Sequence, residues 1–123
     1  MRGIFLAACL AVAACGNVQP PQTPAQAIVE AYAALGSAVA AFNTYAGQRP
    51  FCGDAGAKEP PLCADRAIVI EGDKRAKQVA DALDIASAAV RSVNAQDQQW
   101  KALADPMTLL TGFREFVRQK AGG

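Results

Sequence analysis

The chain contains no histidine, a single tryptophan and two methionines. Without histidine there is no Ser-His-Asp or Cys-His arrangement and no H-E-x-x-H zinc motif. The P-loop and G-x-G-x-x-G patterns are also missing, which removes the familiar backbone cradles for nucleotide phosphates. Ser37, Ser87 and Ser92 fall inside helical patterns and lack the context of a nucleophile elbow. An excess of charge is lacking too: 12 basic residues face 11 acidic ones, so no broad basic field argues for nucleic acid. The basic residues Arg114, Arg118 and Lys120 suit the last turns of a helix, where cations complement the macrodipole. Acidic residues recur at the spacing of a solvated helix face, and nothing marks a carboxylate pair for glycoside chemistry. No enzymatic activity, cofactor, metal or nucleic-acid partner is expected.

Long apolar runs are equally scarce. Gly3 to Ala14 form an uncharged apolar stretch behind Arg2, well short of the roughly 20 residues of a spanning helix. It has the layout of a secretory signal. The residues after it, Gly16 to Pro24, are polar and proline-rich and cannot lengthen it. The stretch closes on Val12-Ala13-Ala14-Cys15. That sequence resembles the lipobox of bacterial lipoproteins, an aliphatic residue and two small ones before a cysteine. The resemblance implies that Cys15 carries acyl chains of the palmitate type and becomes the mature N-terminus. It implies anchoring at the periplasmic face of the outer membrane, because Gly16 is not the aspartate associated with inner-membrane retention. It covers the leader alone. Leu6-Ala7-Ala8-Cys9 fits the same pattern, but too few apolar residues precede it. An A-x-A site at Ala11-Val12-Ala13 offers the alternative of ordinary cleavage and a soluble periplasmic protein.

Four cysteines are present. Cys9 leaves with the leader and Cys15 takes the lipid. Cys52 and Cys63 remain, and in an oxidising compartment they are expected to form a disulfide. The residues between them, rich in Gly, Pro and charge, read as a loop. A closed loop of this size stabilises by roughly 3 kcal/mol in the chain-entropy model. A zinc site is a poor alternative, since Asp54, Glu59 and Asp65 are hard ligands and no C-x-x-C pair exists.

Alanine dominates what is left, and alanine favours helix while burying little surface. Three elements are predicted. Thr23 caps a first helix over residues 24–47, with Pro24 in its first turn and Gly47 and Pro50 at its end. Its seam runs Ala25, Ile28, Tyr32, Leu35, Val39, Phe42, Ala46, widened by Ala31, Ala34, Ala38 and Ala41. The apolar character of this segment raises a membrane span as an alternative, against which stands the stripe of large residues on one face. A second helix is predicted over 64–103, its seam reading Val69, Gly72, Ala76, Val79, Leu83, Ala86, Val90, Val93, then Asp97 and Trp100. Glu71-Gly72-Asp73 marks a potential break. Asp105-Pro106 predicts the start of a third helix over 106–120, with Met107, Leu109, Leu110, Phe113, Phe116 and Val117 as its stripe.

The expected organisation is a signal peptide over 1–14, a lipidated cysteine and proline-rich tether over 15–23, and an all-α domain over 24–123. Its architecture is an antiparallel three-helix bundle, or a helical hairpin with a third short helix. Phe42, Tyr45, Trp100, Phe113 and Phe116 are its expected core or near-core aromatics. The functional expectation is a lipid-anchored envelope module that acts by contact with an unknown protein partner. Alternatives are a spanin-like phage lysis lipoprotein, although its class is richer in proline throughout, and a soluble periplasmic inhibitor presenting the 52–63 loop. A small-molecule carrier using a gap between the helices is a fourth.

Overall fold

A computed structural model describes residues 20–21, 23–56 and 63–121. The leader, Cys15 and most of the tether lie outside these residues, as does the crest of the cysteine loop. The described chain folds into three α-helices, with no strand among them: α1 Pro24–Gly47, α2 Arg66–Ser92 and α3 Gln96–Lys120. The fold is the all-α three-helix bundle read from the sequence. Ile28 packs with Ala86 and Leu103 at one end, and Phe42 with Phe113 and Gly72 towards the other. The helices therefore run up, down and up, with α1 and α3 parallel.

α1 begins at a complete capping box. The Thr23 hydroxyl accepts from the Gln26 amide, and the Thr23 amide donates to the Gln26 side chain, each at 3.2 Å. The buried stripe is Ala27, Ile28, Ala31, Leu35, Ala38, Phe42 and Tyr45. It is rotated slightly from the predicted seam. Tyr32 lies at the surface, where its hydroxyl donates to Asp84; Tyr45, outside the predicted seam, is buried, and Val39 and Ala46 are half-buried against the core. α2 is capped by Asp65, whose carboxylate accepts from the Ala67 amide at 2.8 Å. Its inward residues Gly72, Val79, Leu83 and Ala86 follow the predicted seam.

The boundary between the second and third helices differs from the sequence expectation. α2 stops at Ser92, not near 103, and α3 starts at Gln96, not Pro106. Asp105 caps nothing, and Pro106 is buried inside a continuous helix. The reason is burial. A helix running on to residue 103 would carry Leu103 past the end of α1. Turning at Val93–Ala95 brings it against Ala27, Ile28 and Ala86, where it is 2 % exposed. Gln99 makes the early turn tenable, since its side-chain amide donates to the Val90 and Val93 carbonyls left open at the end of α2. The anticipated break at Gly72 is absent because the missing side chain makes room for Phe42.

Phe42 is the centre of the larger core cluster, 1 % exposed. Its ring centroid lies 6.3 Å from that of Phe113 in an edge arrangement and 6.4 Å from those of Tyr45 and Phe116. Val79, Leu83, Leu110 and Val117 close around this group. Trp100, expected in the core, is instead a surface residue at 37 % exposure, and Met107 and Leu109 are similarly exposed.

Candidate functional site

The two ends of the bundle are built differently. At the end where α1 finishes and α2 begins, Cys52 and Cys63 are joined, with Cα atoms 4.9 Å apart. The two strands of the loop base are also held by backbone bonds: the Cys52 amide donates to the Ala64 carbonyl at 3.0 Å and the Ala64 amide to the Pro50 carbonyl at 2.8 Å. Gly53, at φ 95°, takes the chain through a left-handed conformation that disfavours a side chain. Tyr45 reaches up from α1 so that its hydroxyl accepts from the Asp65 amide at 3.0 Å. Cys63 and Ala64 are completely buried.

Around this base sit the exposed groups. The Arg66 guanidinium lies 4.2 Å over the centre of the Phe51 ring and 3.5 Å from the Asp54 carboxylate. Arg49 covers the face of Tyr45 at 5.6 Å. Such cation–ring contacts orient long side chains that would otherwise sample many rotamers. The result is a preorganised end surface of Arg49, Phe51, Asp54 and Arg66. Sequence reasoning identified the cysteine pair but not these contacts, since no local spacing signals an arginine stacked on a ring fifteen residues away.

Along the sides of the bundle lie open depressions, two of them between helices. One of about 420 Å³ separates α1 from α3 and is lined by Ala34, Ser37, Ala38, Ala41, Arg114, Val117 and Arg118. A shallow one of about 430 Å³ lies on α3 alone and is lined by Thr111, Arg114, Glu115 and Arg118. A third of about 250 Å³ lies between α2 and α3 beside Ile85, Ala89 and Pro106. Electrostatic perturbation is seen in two surface pairs. The Arg118 guanidinium and then the Gln119 amide hold the Glu115 carboxyl down at about 2, and Glu115 raises Arg118 in return. The hydrogen bond to Asp84 raises Tyr32. Among the described residues there is no group of three or more His, Cys, Asp or Glu placed to hold a metal ion, and no buried side-chain polar atom lacks a partner.

Of the sequence-predicted site residues, the structure brings Cys52 and Cys63 together, while Cys15 lies outside the described residues. Comparison with protein-family models, characterised proteins and solved structures yields no match. α1 is apolar and, by length and composition, long enough to cross a membrane. In the bundle Ile28, Leu35, Phe42 and Tyr45 turn to one buried face, while Val29 and Tyr32 are exposed.

Proposed function

We propose that the protein is a lipid-anchored module of the bacterial envelope that acts by contact, holding its disulfide-braced end away from the membrane. The observation that carries this reading is the polarity of the bundle. The chain reaches α1 through Pro20 and Pro21 at one end, and the braced loop base lies at the other. α1 has 24 residues, so the two ends are about 36 Å apart at 1.5 Å per residue. The lipobox-like residues Val12 to Cys15 supply the anchor, with several acyl chains giving stable attachment where one is marginal. The prolines supply a semi-extended spacer. The preorganised end surface supplies the contact, since groups already ordered lose little entropy on binding. The partner is a protein, recognised without metal, cofactor or nucleic acid, and the anchored face is that of the outer membrane.

Mass spectrometry of the mature N-terminus tests the anchor. A triacylated or diacylated Cys15 is expected, and Cys15→Ser should release the protein from the membrane fraction. An unmodified N-terminus elsewhere in residues 12–17 would overturn the anchored reading and leave a soluble periplasmic protein. The contact end is tested separately by Arg66→Ala with Phe51→Ala, which should abolish partner capture without changing membrane attachment.

A further inference from the structure

The seam between α1 and α3 carries side chains that the bundle does not use. Trp100 and Met107 are 37 % and 39 % exposed. Arg114 is exposed and has no ion-pair partner among the described residues, whereas Arg118 is held by Glu115. Trp100, Met107 and Arg114 recur at intervals of seven, so they form one line along α3 that drifts by about 20° per step. Arg114 lines the groove towards α1, which sets the line on that side of the helix. The α1 residues facing Arg114 are small, Ala34, Ser37 and Ala41, and Trp100 and Met107 further along the line stay partly exposed. Glu30 precedes Ala34 by one turn on the same face and is the single charged residue of α1.

The line is self-complementary. Met107 stands at its midpoint, with the aromatic about 10 Å to one side and the cation about 10 Å to the other. A two-fold axis through Met107 lays the line on itself in reverse. We propose that this seam is an isologous interface with a second copy of the chain, α3 antiparallel to α3. Met107 meets its counterpart on the axis, and each Trp100 indole receives the guanidinium of the partner's Arg114 on its face. Because Glu30 lies at the Trp100 half of the seam, it falls beside the cations arriving from the other copy. The two Arg114 side chains stay apart, about 20 Å along the axis. The small residues of α1 let the second α3 approach closely. A single helix-wide strip of this length buries on the order of 1,000 Å² in total, the low end for specific association, so a reversible dimer is expected that fills as concentration rises through the micromolar range. The inference does not depend on lipidation; anchoring in one leaflet would strengthen it by raising the effective concentration.

Cross-linking of the full chain in intact cells tests the axis. Met107→Cys places a thiol on the two-fold and should give a disulfide-linked dimer on a non-reducing gel, at several times the yield from Gln78→Cys on the exposed face of α2. The unsubstituted chain sets the background from its own cysteines. Adding Arg114→Glu to Met107→Cys should lower the dimer at least about fivefold. Equal yields from the two cysteine variants, or a yield indifferent to Arg114→Glu, would overturn the proposal. Should Met107→Cys not fold, as judged by circular dichroism, Thr111→Cys takes its place with a bis-maleimide cross-linker instead of direct oxidation, because the two Thr111 positions would lie about 12 Å apart along the helices; the comparison with Gln78→Cys and the effect of Arg114→Glu are read in the same way. Trp100 is the protein's single tryptophan, so its fluorescence reads the same face directly. Emission of the purified full chain in detergent should shift to the blue as concentration rises through the expected range, and unchanged emission would count against the interface.

Discussion

Replacing Gly72 with alanine sets two known effects against each other at the centre of the core. Helix propensity alone favours the change by about 1 kcal/mol, because glycine in a helix interior loses more backbone freedom than alanine. Packing opposes it. A methyl carbon at Gly72 would lie 2.1 Å from Cζ of Phe42, 2.3 Å from Cε2 and 2.8 Å from Cε1. The ring cannot simply step aside, being 1 % exposed and hemmed in by Phe113, Tyr45 and Phe116. Overpacking of a filled core costs about 1–3 kcal/mol and occasionally more, and an overlap this deep belongs at the upper end. The net expectation for Gly72→Ala is destabilisation by about 1–2 kcal/mol, or a melting temperature lower by roughly 5–15 °C for a domain of this size. Thermal and urea unfolding followed by far-ultraviolet circular dichroism measure it. Phe42→Leu in the same chain should relieve part of the loss, giving a coupling of about 1 kcal/mol or more in a double-mutant cycle. A Gly72→Ala protein that melts higher than the parent would refute the reasoning and show that propensity outweighs the Phe42 contact.

Three further outcomes are expected. Cys52→Ser with Cys63→Ser should lower stability by about 3 kcal/mol through the freed loop, measured by urea unfolding; a loss under about 1 kcal/mol would mean that the backbone bonds of the loop base suffice without the bridge. Glu115, held down to about 2 by Arg118 and Gln119, binds its proton more weakly folded than unfolded. Its contribution is therefore present above the ordinary carboxylate range and lost as pH falls from there towards 2, so an NMR titration should place its midpoint near 2, and a midpoint near 4.5 would exclude the pairing. Pro106→Ala restores an amide donor for the Ala102 carbonyl and removes a ring that clashes in a helix interior, while giving up some buried surface. A net gain of about 1 kcal/mol is expected on thermal unfolding, and a loss of similar size would mean that the proline ring is needed where it packs.

How much of this was legible in the sequence follows from where each signal resides. Caps and seams are local, so Thr23 announces the start of α1, and the spacing of Val79, Leu83 and Ala86 announces an inward face of α2. The cysteine pair was legible because only two cysteines remain after the leader. The α2–α3 turn was not. Val93-Asn94-Ala95 contains neither glycine nor proline, and the carbonyls it leaves open are satisfied by Gln99, a side chain of the following helix. The stronger local signal, Asp105-Pro106, was overridden because burying Leu103 requires a helix that runs through it. Trp100 was misplaced by the same error, since it was counted along the seam of α2 when it belongs to the outer line of α3. Gly72 looked like a weakness in a helix, and its role appears only once Phe42 arrives from another element. The side-chain arrangement at the braced end is illegible for the same reason: the positions of Arg66 over Phe51 and of Tyr45 beneath Asp65 are set by the loop's closure.

The bundle is also unevenly held, and the direction of the unevenness bears on the anchored reading. At the braced end the core contains Phe42, Tyr45, Phe113, Leu83 and Leu110 together with the disulfide. At the end nearest the tether it contains Ala27, Ile28, Ala86 and Leu103, with Val90 beside them. Buried apolar area stabilises by about 25 cal/mol per Å², and alanine contributes little of it, so the second cluster holds its helices more weakly than the first. Local opening should therefore begin where α1 leaves the tether and where α2 turns into α3. Amide hydrogen exchange is expected to be faster for residues 27–33 and 97–103 than for 38–45 and 110–117. Uniform protection along α1 and α3 would contradict this gradient and with it the weight given to the aromatic cluster. A compliant end beside the proline-rich segment and a firmer end opposite is the distribution that suits the proposed anchored module. Motion is then absorbed near the tether, and the groups around Phe51 and Arg66 keep their arrangement.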